Sequence, residues 1–459
     1  MSHDSNKEQS GRLRQLASRM LVLCSGTSLA HLLMFAFSPL LTRLFSPASF
    51  AVLGFHQATL AVLAMVLTLQ YEVAIPIPEE EKQANVLLKL SVRVAVILTV
   101  LTTALAIIWG LLPISAQWWM PLSALAIIPV CSLGEAVSRS YRLSCIRQAQ
   151  FSRLSLARVL QAVATVVCHI VTGVLGWATL GLPLGDGLGR WAGAGYFVWL
   201  SRWGGAVKDS QPPQTISLAD YRAAMQRYMQ FPTFVMPGVI IASLVNVLPA
   251  LVLPSLYGEE FAGQFALANR SVLMPLMVIS QAVTQIYVSD ASKYLRNQDP
   301  SLRALIRTTA IQMGLLGLVL SIGAALTGPL LFPLVFGAKW AVAGHIVPLL
   351  ALSAFAQFVG GPVNQVLVLL GKESRKLLLN TIGLVSVIAV LFVSHWLGWG
   401  PIIATTAYAI TILGVQTLYL WQSIAVVEEQ ATAWERNRAE TIPFPPTSTQ
   451  AIPQERRVA

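Results

Sequence analysis

The chain has 459 residues, 55% of them hydrophobic and only 11% charged, with a mean hydropathy of +0.66. Water-facing domains carry roughly 25% charged residues, so this composition excludes an ordinary soluble domain. The net charge of +11 sits beside apolar segments as an orientation signal, which argues against a nucleic-acid partner.

Apolar windows bounded by charge, proline or glycine predict about twelve membrane-spanning helices of bilayer length. They run over 17–42, 48–76, 87–111, 117–138, 156–177, 181–201, 229–255, 261–288, 305–333, 343–370, 377–398 and 401–425. The expected organisation is an N-terminal segment 1–16, a first lobe 17–201, a linker 202–228, a second lobe 229–425 and a tail 426–459. The Pro-rich end TIPFPPTSTQAIPQERRVA predicts disorder there. The first apolar stretch, near 21–41, is longer than a signal-peptide core and lacks a small-residue cleavage site, so it reads as the first span.

Alternate connections collect the basic residues: Lys82 and Lys89; Arg139, Arg142, Arg147 and Arg153; Arg202, Lys208, Arg222 and Arg227; Lys293, Arg296 and Arg303; Lys372, Arg375 and Lys376. The opposite loops hold only Arg43 and Lys339. The positive-inside rule then places both termini in the cytoplasm. The opposite loops are too short for a folded domain. SPASFA at 46–51 and YGEEFA at 257–262 open the second and eighth spans half a chain apart, the pattern of a parallel six-plus-six repeat.

In span one, His31 follows Ser25, Thr27 and Ser28 and reads either as a sugar or proton contact or as a helix contact; Arg43 lies at its outer end. Glu72 ends span two in QYEVAIPIPEEEKQANVL, about a turn inside the membrane, where an ionisable group needs a partner or water. It is expected either at a gate or coupling site or in a bond to a neighbouring helix. Glu79, Glu80 and Glu81 read as a solvated loop. Glu135 and Arg139, and Asp186 and Arg190, are spaced four apart on shared helix faces and read as ion pairs, the second pair open to exchange if it faces a cavity. Arg270, after Ala266–Asn269 in span eight, is the leading cationic candidate.

Asn246, Asn269, Gln281, Gln285, Asn364 and Gln365 interrupt the second half, where amides most often bridge helices. Pro232, Pro237, Pro275 and Gly360-Gly361-Pro362 are candidate bends. Trp118, Trp119 and Trp340 read as interfacial anchors. His56, His169, His345 and His395 read as satisfied or interfacial. Cys24, Cys131, Cys145 and Cys168 have no ligand spacing, and neither a metal site nor a phosphate-binding P-loop is expected.

The stretch SPLLTRLFSPASFAVLGFHQATLAVLAMVLTLQYEVAIPIPEEEKQANVLL resembles the N-terminal signature of Wzx-type polysaccharide exporters of the MOP superfamily. YMQFPTFVMPGVI, YGEEFAGQFALANRSVLMPLMVISQAVTQIYVSDAS and FGAKWAVAGHIVPLLALSAF are similar too. Gln70 stands where the family commonly has arginine before Tyr-Glu. The resemblance implies an all-α integral membrane protein of two six-helix lobes around a central cavity (MOP/MATE-like). It also implies alternating access, in a bacterial inner membrane, for an undecaprenyl-diphosphate-linked oligosaccharide, with O-antigen as the product class.

Such cargo asks for Arg270, Arg43, Arg190, His31, Asn269 and Gln281 as binding residues, with Glu72, Asp186 and Glu135 for gating or ion coupling. Expected partners are membrane lipids, a polysaccharide polymerase and a chain-length regulator. No cofactor or covalent catalysis is expected. The alternatives are a lipid II flippase, a multidrug cation antiporter and, from another class, a membrane polymerase or ligase. The multidrug antiporter normally wants cavity acids, and the enzymes normally carry a large outer loop.

Overall fold

A computed structural model describes residues 26–112, 119–120, 122–203 and 216–441. The expected segment 1–16, the start of span one with Cys24 and Ser25, Trp118, Lys208 and the Pro-rich end all lie outside these residues.

Among the described residues twelve long helices follow in order, and ten are long and apolar enough to cross a membrane. They are α1 Gly26–Leu44, α2 Pro47–Thr68, α3 Glu81–Leu111, α4 Leu122–Arg147, α5 Phe151–Val174, α6 Gly181–Trp203, α7 Met236–Tyr257, α8 Glu259–Arg296, α9 Leu302–Phe336, α10 Ala341–Val363, α11 Glu373–Trp396 and α12 Pro401–Thr441. The two beyond the ten are α4 and α6, each over 20 residues and so at least 30 Å long. Helices α1–α6 form one lobe and α7–α12 the other; α2 packs on α7 and α8 across the interface.

Several boundaries differ from the sequence expectation. Helix α2 stops at Thr68, because Leu69 and Gln70 take left-handed backbone angles (φ 48° and 59°) and Tyr71–Ala74 follow as a 3-10 turn. Glu72 therefore lies beyond the span and not a turn inside it. Helix α4 runs on to Arg147 and α8 to Arg296. Helix α12 continues to Thr441, where disorder was expected from 426. Trp434 and Val427 are buried against Tyr287 and Ile306, and Arg303 and Arg307 pair with Glu435 and Glu428.

The proposed bends divide. Pro232 sits in a π-helical turn, Phe231–Val235, ahead of α7, and α10 breaks at Asn364–Gln365 just after Pro362. Helix α8 passes Pro275 uninterrupted.

The loops carrying most of the basic residues gather at one end of the bundle, hereafter the basic end. There Arg147 donates to the carbonyls of Pro78 and Glu79 and pairs with Glu81 at 3.2 Å. The linker contributes a short helix, Leu218–Arg227, opened by a capping box between Ser217 and Asp220. Hydrogen bonds from Ser217, with Lys82 nearby, hold the Asp220 carboxyl below its usual range.

The opposite end of the inter-lobe contact is closed. Phe45, Phe50, Phe261, Phe265, Phe332 and Trp340 share one buried core. Trp340 is fully buried, edge-on to Phe50 at 4.9 Å, and its indole N–H donates to the Thr42 carbonyl at 3.2 Å. It is a lobe-joining residue and not an interfacial anchor. Trp119 packs edge-on against Phe55 at 5.3 Å. Lys339 Nζ donates to the Phe45 carbonyl at 2.8 Å, and Gln264 ties the Lys339 carbonyl (2.6 Å) to the Ala343 amide (3.0 Å). The two repeat openings meet here: a Cβ on Gly263 would lie 1.7 Å from the Pro47 carbonyl oxygen.

Candidate functional site

The first lobe buries a chain of charges. Its placement starts with glycines at 181, 185, 189 and 193, every fourth residue of α6, the small-residue spacing that lets helices approach closely. A Cβ at Gly185 would fall 2.3 Å from His169 Cδ2 and one at Gly189 1.8 Å from Thr165 Oγ1, so α5 lies tight against this face. On the same helix, Asp186 and Arg190 turn toward α2 and α4.

Arg190 Nε donates to Asp186 at 2.8 Å and Arg190 Nη1 to Glu135 on α4 at 2.6 Å. The other Glu135 oxygen accepts from Arg142 at 2.8 Å. Asp186 also accepts from Gln57 at 2.9 Å, and His56 lies 3.7 Å away. His56 is thus buried in the network on α2 and is not interfacial. The ring nitrogens of His56 have no hydrogen-bond partner among the described residues, whereas His169 Nε2 is bonded to the Leu182 carbonyl at 2.9 Å. Glu135 does not pair with Arg139, its neighbour four residues on. Arg139 instead faces Glu72 at 3.3 Å.

Beside this chain, a cavity of about 730 Å³ opens between the lobes. Thr27, Ser28 and His31 of α1, Arg139 and Arg142 of α4, Arg158 of α5, and Gln281 and Gln285 of α8 supply its polar lining. Among the described residues no carboxylate lines it. Among the described residues Arg158 forms no ion pair. A second cavity of about 570 Å³ lies within the other lobe and shares Gln281 and Gln285 as a common wall. Both occupy the half of the bundle nearer the basic end.

The nine sequence candidates therefore separate. His31 and Gln281 line the first cavity, while Arg190, Asp186 and Glu135 are internally paired beneath it, and Glu72 holds one of its arginines. Arg270, half-buried on α8, lines neither cavity and forms no ion pair among the described residues. Asn269, half-buried, also lines neither cavity, and Arg43 is exposed at the closed end. Arg142 and Arg158 are the residues that sequence reasoning missed. Arg142 was absorbed into the orientation signal, and Arg158 was passed over although it falls inside an expected span.

Two six-helix lobes flanking an arginine-lined cavity make up an all-α membrane protein of the MOP fold. A family model described as "Polysaccharide biosynthesis protein" matches residues 40–345, more than half of the chain, and the chain belongs to that family, whose Wzx-like members it resembles.

Solved structures share the fold at low identity. The lipid II flippase MurJ, in an inward closed conformation, is 12% identical with a TM-score of 0.67, covering 93% of this chain and 94% of its own. An inward-facing MATE-family multidrug transporter is 15% identical with a TM-score of 0.61, covering 91% and 96%. A MOP superfamily transporter from Pyrococcus furiosus is 14% identical with a TM-score of 0.57, also covering 91% and 96%. No curated protein matches the sequence.

Proposed function

We propose that this protein moves undecaprenyl-diphosphate-linked oligosaccharides across the bacterial inner membrane by alternating access, for O-antigen or a related lipopolysaccharide or surface polysaccharide. The observation that carries the reading is the cavity lined by Arg139, Arg142 and Arg158, with no acid in its lining among the described residues. Guanidinium groups stay charged and bind phosphate oxygens in bidentate fashion, and three of them suit a diphosphate. Such a lining repels a hydrophobic cation, which disfavours the multidrug reading.

The basic end is cytoplasmic by the positive-inside rule, so the cavities face the side where lipid-linked sugars are assembled. The Lys339, Trp340 and Gln264 contacts then form the outer closure, and the lobes rock about α2 and α8 to exchange it for an inner one. Transport needs no covalent step and no cofactor. A polymerase and a chain-length regulator would act on the delivered unit.

The test is a reconstituted vesicle assay with a fluorescent undecaprenyl-diphosphate oligosaccharide, paired with gene disruption in the host. Faster transbilayer movement with the protein, and lipid-linked units accumulating without the gene, are expected. No acceleration, with undiminished surface polysaccharide, would overturn the reading.

A further inference from the structure

We propose that the cavity inside the second lobe is a glycan subsite that takes the first few neutral, hydroxyl-rich sugars of the cargo while the first-lobe arginines hold its diphosphate. This rests on the flippase reading above. Among the described residues, eight side-chain amides line the cavity, with Lys376 and the Tyr419 hydroxyl, and no carboxylate does. Amides inside an apolar bundle are costly unless paired, and their commonest use is to bridge helices.

Only part of this set does so. Asn364 donates to Gln416 of α12 at 3.3 Å and accepts from Ser423 at 3.4 Å, and Asn380 accepts from Tyr419. Asn246 bonds only a carbonyl of its own helix, Ala242, at 3.3 Å. The side-chain amides of Gln281 and Gln365 form no hydrogen bond within the described residues and are not closed off from solvent. These groups face an open cavity and are not a polar seam.

An amide presents a donor and an acceptor side by side, and a sugar hydroxyl is both at once. A diphosphate, which only accepts, leaves every amide oxygen unused. A hydrophobic cation leaves both ends unused. Met277, Leu273 and Phe358 supply an apolar wall for the C–H face of a sugar ring. At about 570 Å³ the space falls within the roughly 300–1,000 Å³ of small-ligand sites, which fits a short oligosaccharide. Gln281 and Gln285 line both cavities, so one ligand can reach from the arginines past α8 into this pocket.

The experiment compares full-length protein binding to undecaprenyl diphosphate with binding to the same lipid bearing a neutral trisaccharide. The variants are Asn246→Leu with Gln365→Leu, neither of which bridges helices, and Arg142→Gln with Arg158→Gln. Wild type is expected to bind the glycosylated lipid at least tenfold tighter than the bare one. The amide variant should lose that preference and keep its affinity for bare lipid, which also reports that it is folded. The arginine variant should weaken both. Equal wild-type affinities, or an amide variant weakened equally for both lipids, would overturn the glycan subsite. If bare lipid binding ignores the arginines while the amide variant still loses the glycan preference, the diphosphate reading falls and the subsite stands.

Discussion

Glu72 and Arg139 face each other at 3.3 Å where the chain turns back beyond the end of α2. Glu72 is fully buried and neither carboxylate oxygen has a hydrogen-bond partner among the described residues. Arg139 lines the first cavity and Glu72 does not; on the flippase reading, the acid holds the arginine from behind as a partner that phosphate can displace. Glu72→Gln removes the competitor. Tighter binding of undecaprenyl diphosphate is expected, by about 1 kcal/mol or roughly fivefold, with slower export at an unchanged protein level. Unchanged affinity and export together would take Glu72 out of the cycle.

Among the described residues Arg158 forms no ion pair, and on the flippase reading its charge is there for cargo. Arg158→Gln is expected to leave the melting temperature of the purified protein unchanged or raised. It should weaken lipid-diphosphate binding at least tenfold, the range of a hydrogen bond to a charged group, about 1.5–3 kcal/mol. A lowered melting temperature with intact binding would assign it to the scaffold.

Arg190 is the contrasting case, because it satisfies Glu135 and Asp186 together. Arg190→Gln leaves two buried carboxylates short of a cation, a loss expected to cost about 3–5 kcal/mol. Thermal unfolding in detergent should show a large drop, and a triple change that also converts Glu135 and Asp186 to their amides should recover much of it. A single variant as stable as wild type would contradict the pairing described.

Gly263 controls the closed end. Its missing Cβ leaves room for the Pro47 carbonyl, so Gly263→Leu is expected to push the lobes apart there. Spin labels at Arg43 and Ala341 should report a longer distance than in the parent. An unchanged distance distribution in a folded variant would show that this contact yields without lobe movement.

The helix count and the two-lobe division were legible because apolar runs of bilayer length are a strong, local signal. The partners of the buried charges were not. Spacing put Glu135 with Arg139 because four residues share a helix face, but a lateral neighbour, Arg190, and a residue two turns on, Arg142, win Glu135. That outcome depends on how α4 sits against α6. The four-residue glycine spacing of α6 was the available clue, since it marks the face that packs and thereby which side chains turn toward α4. The end of α2 was hidden for another reason: Leu69 and Gln70 hold left-handed angles without glycine or proline to announce them.

On the α1 side, the closed end is held through acceptors that belong to the main chain, at Thr42 and Phe45. Every residue type carries that oxygen, so these two hydrogen bonds ask nothing of the Thr42 and Phe45 side chains and follow only the path of the chain. The demand for donor chemistry falls on Lys339 and Trp340. Substitution within this closure is thus constrained in two unlike ways: by hydrogen-bonding chemistry at Lys339 and Trp340, and by fit to the apolar core at Leu41 and Phe45.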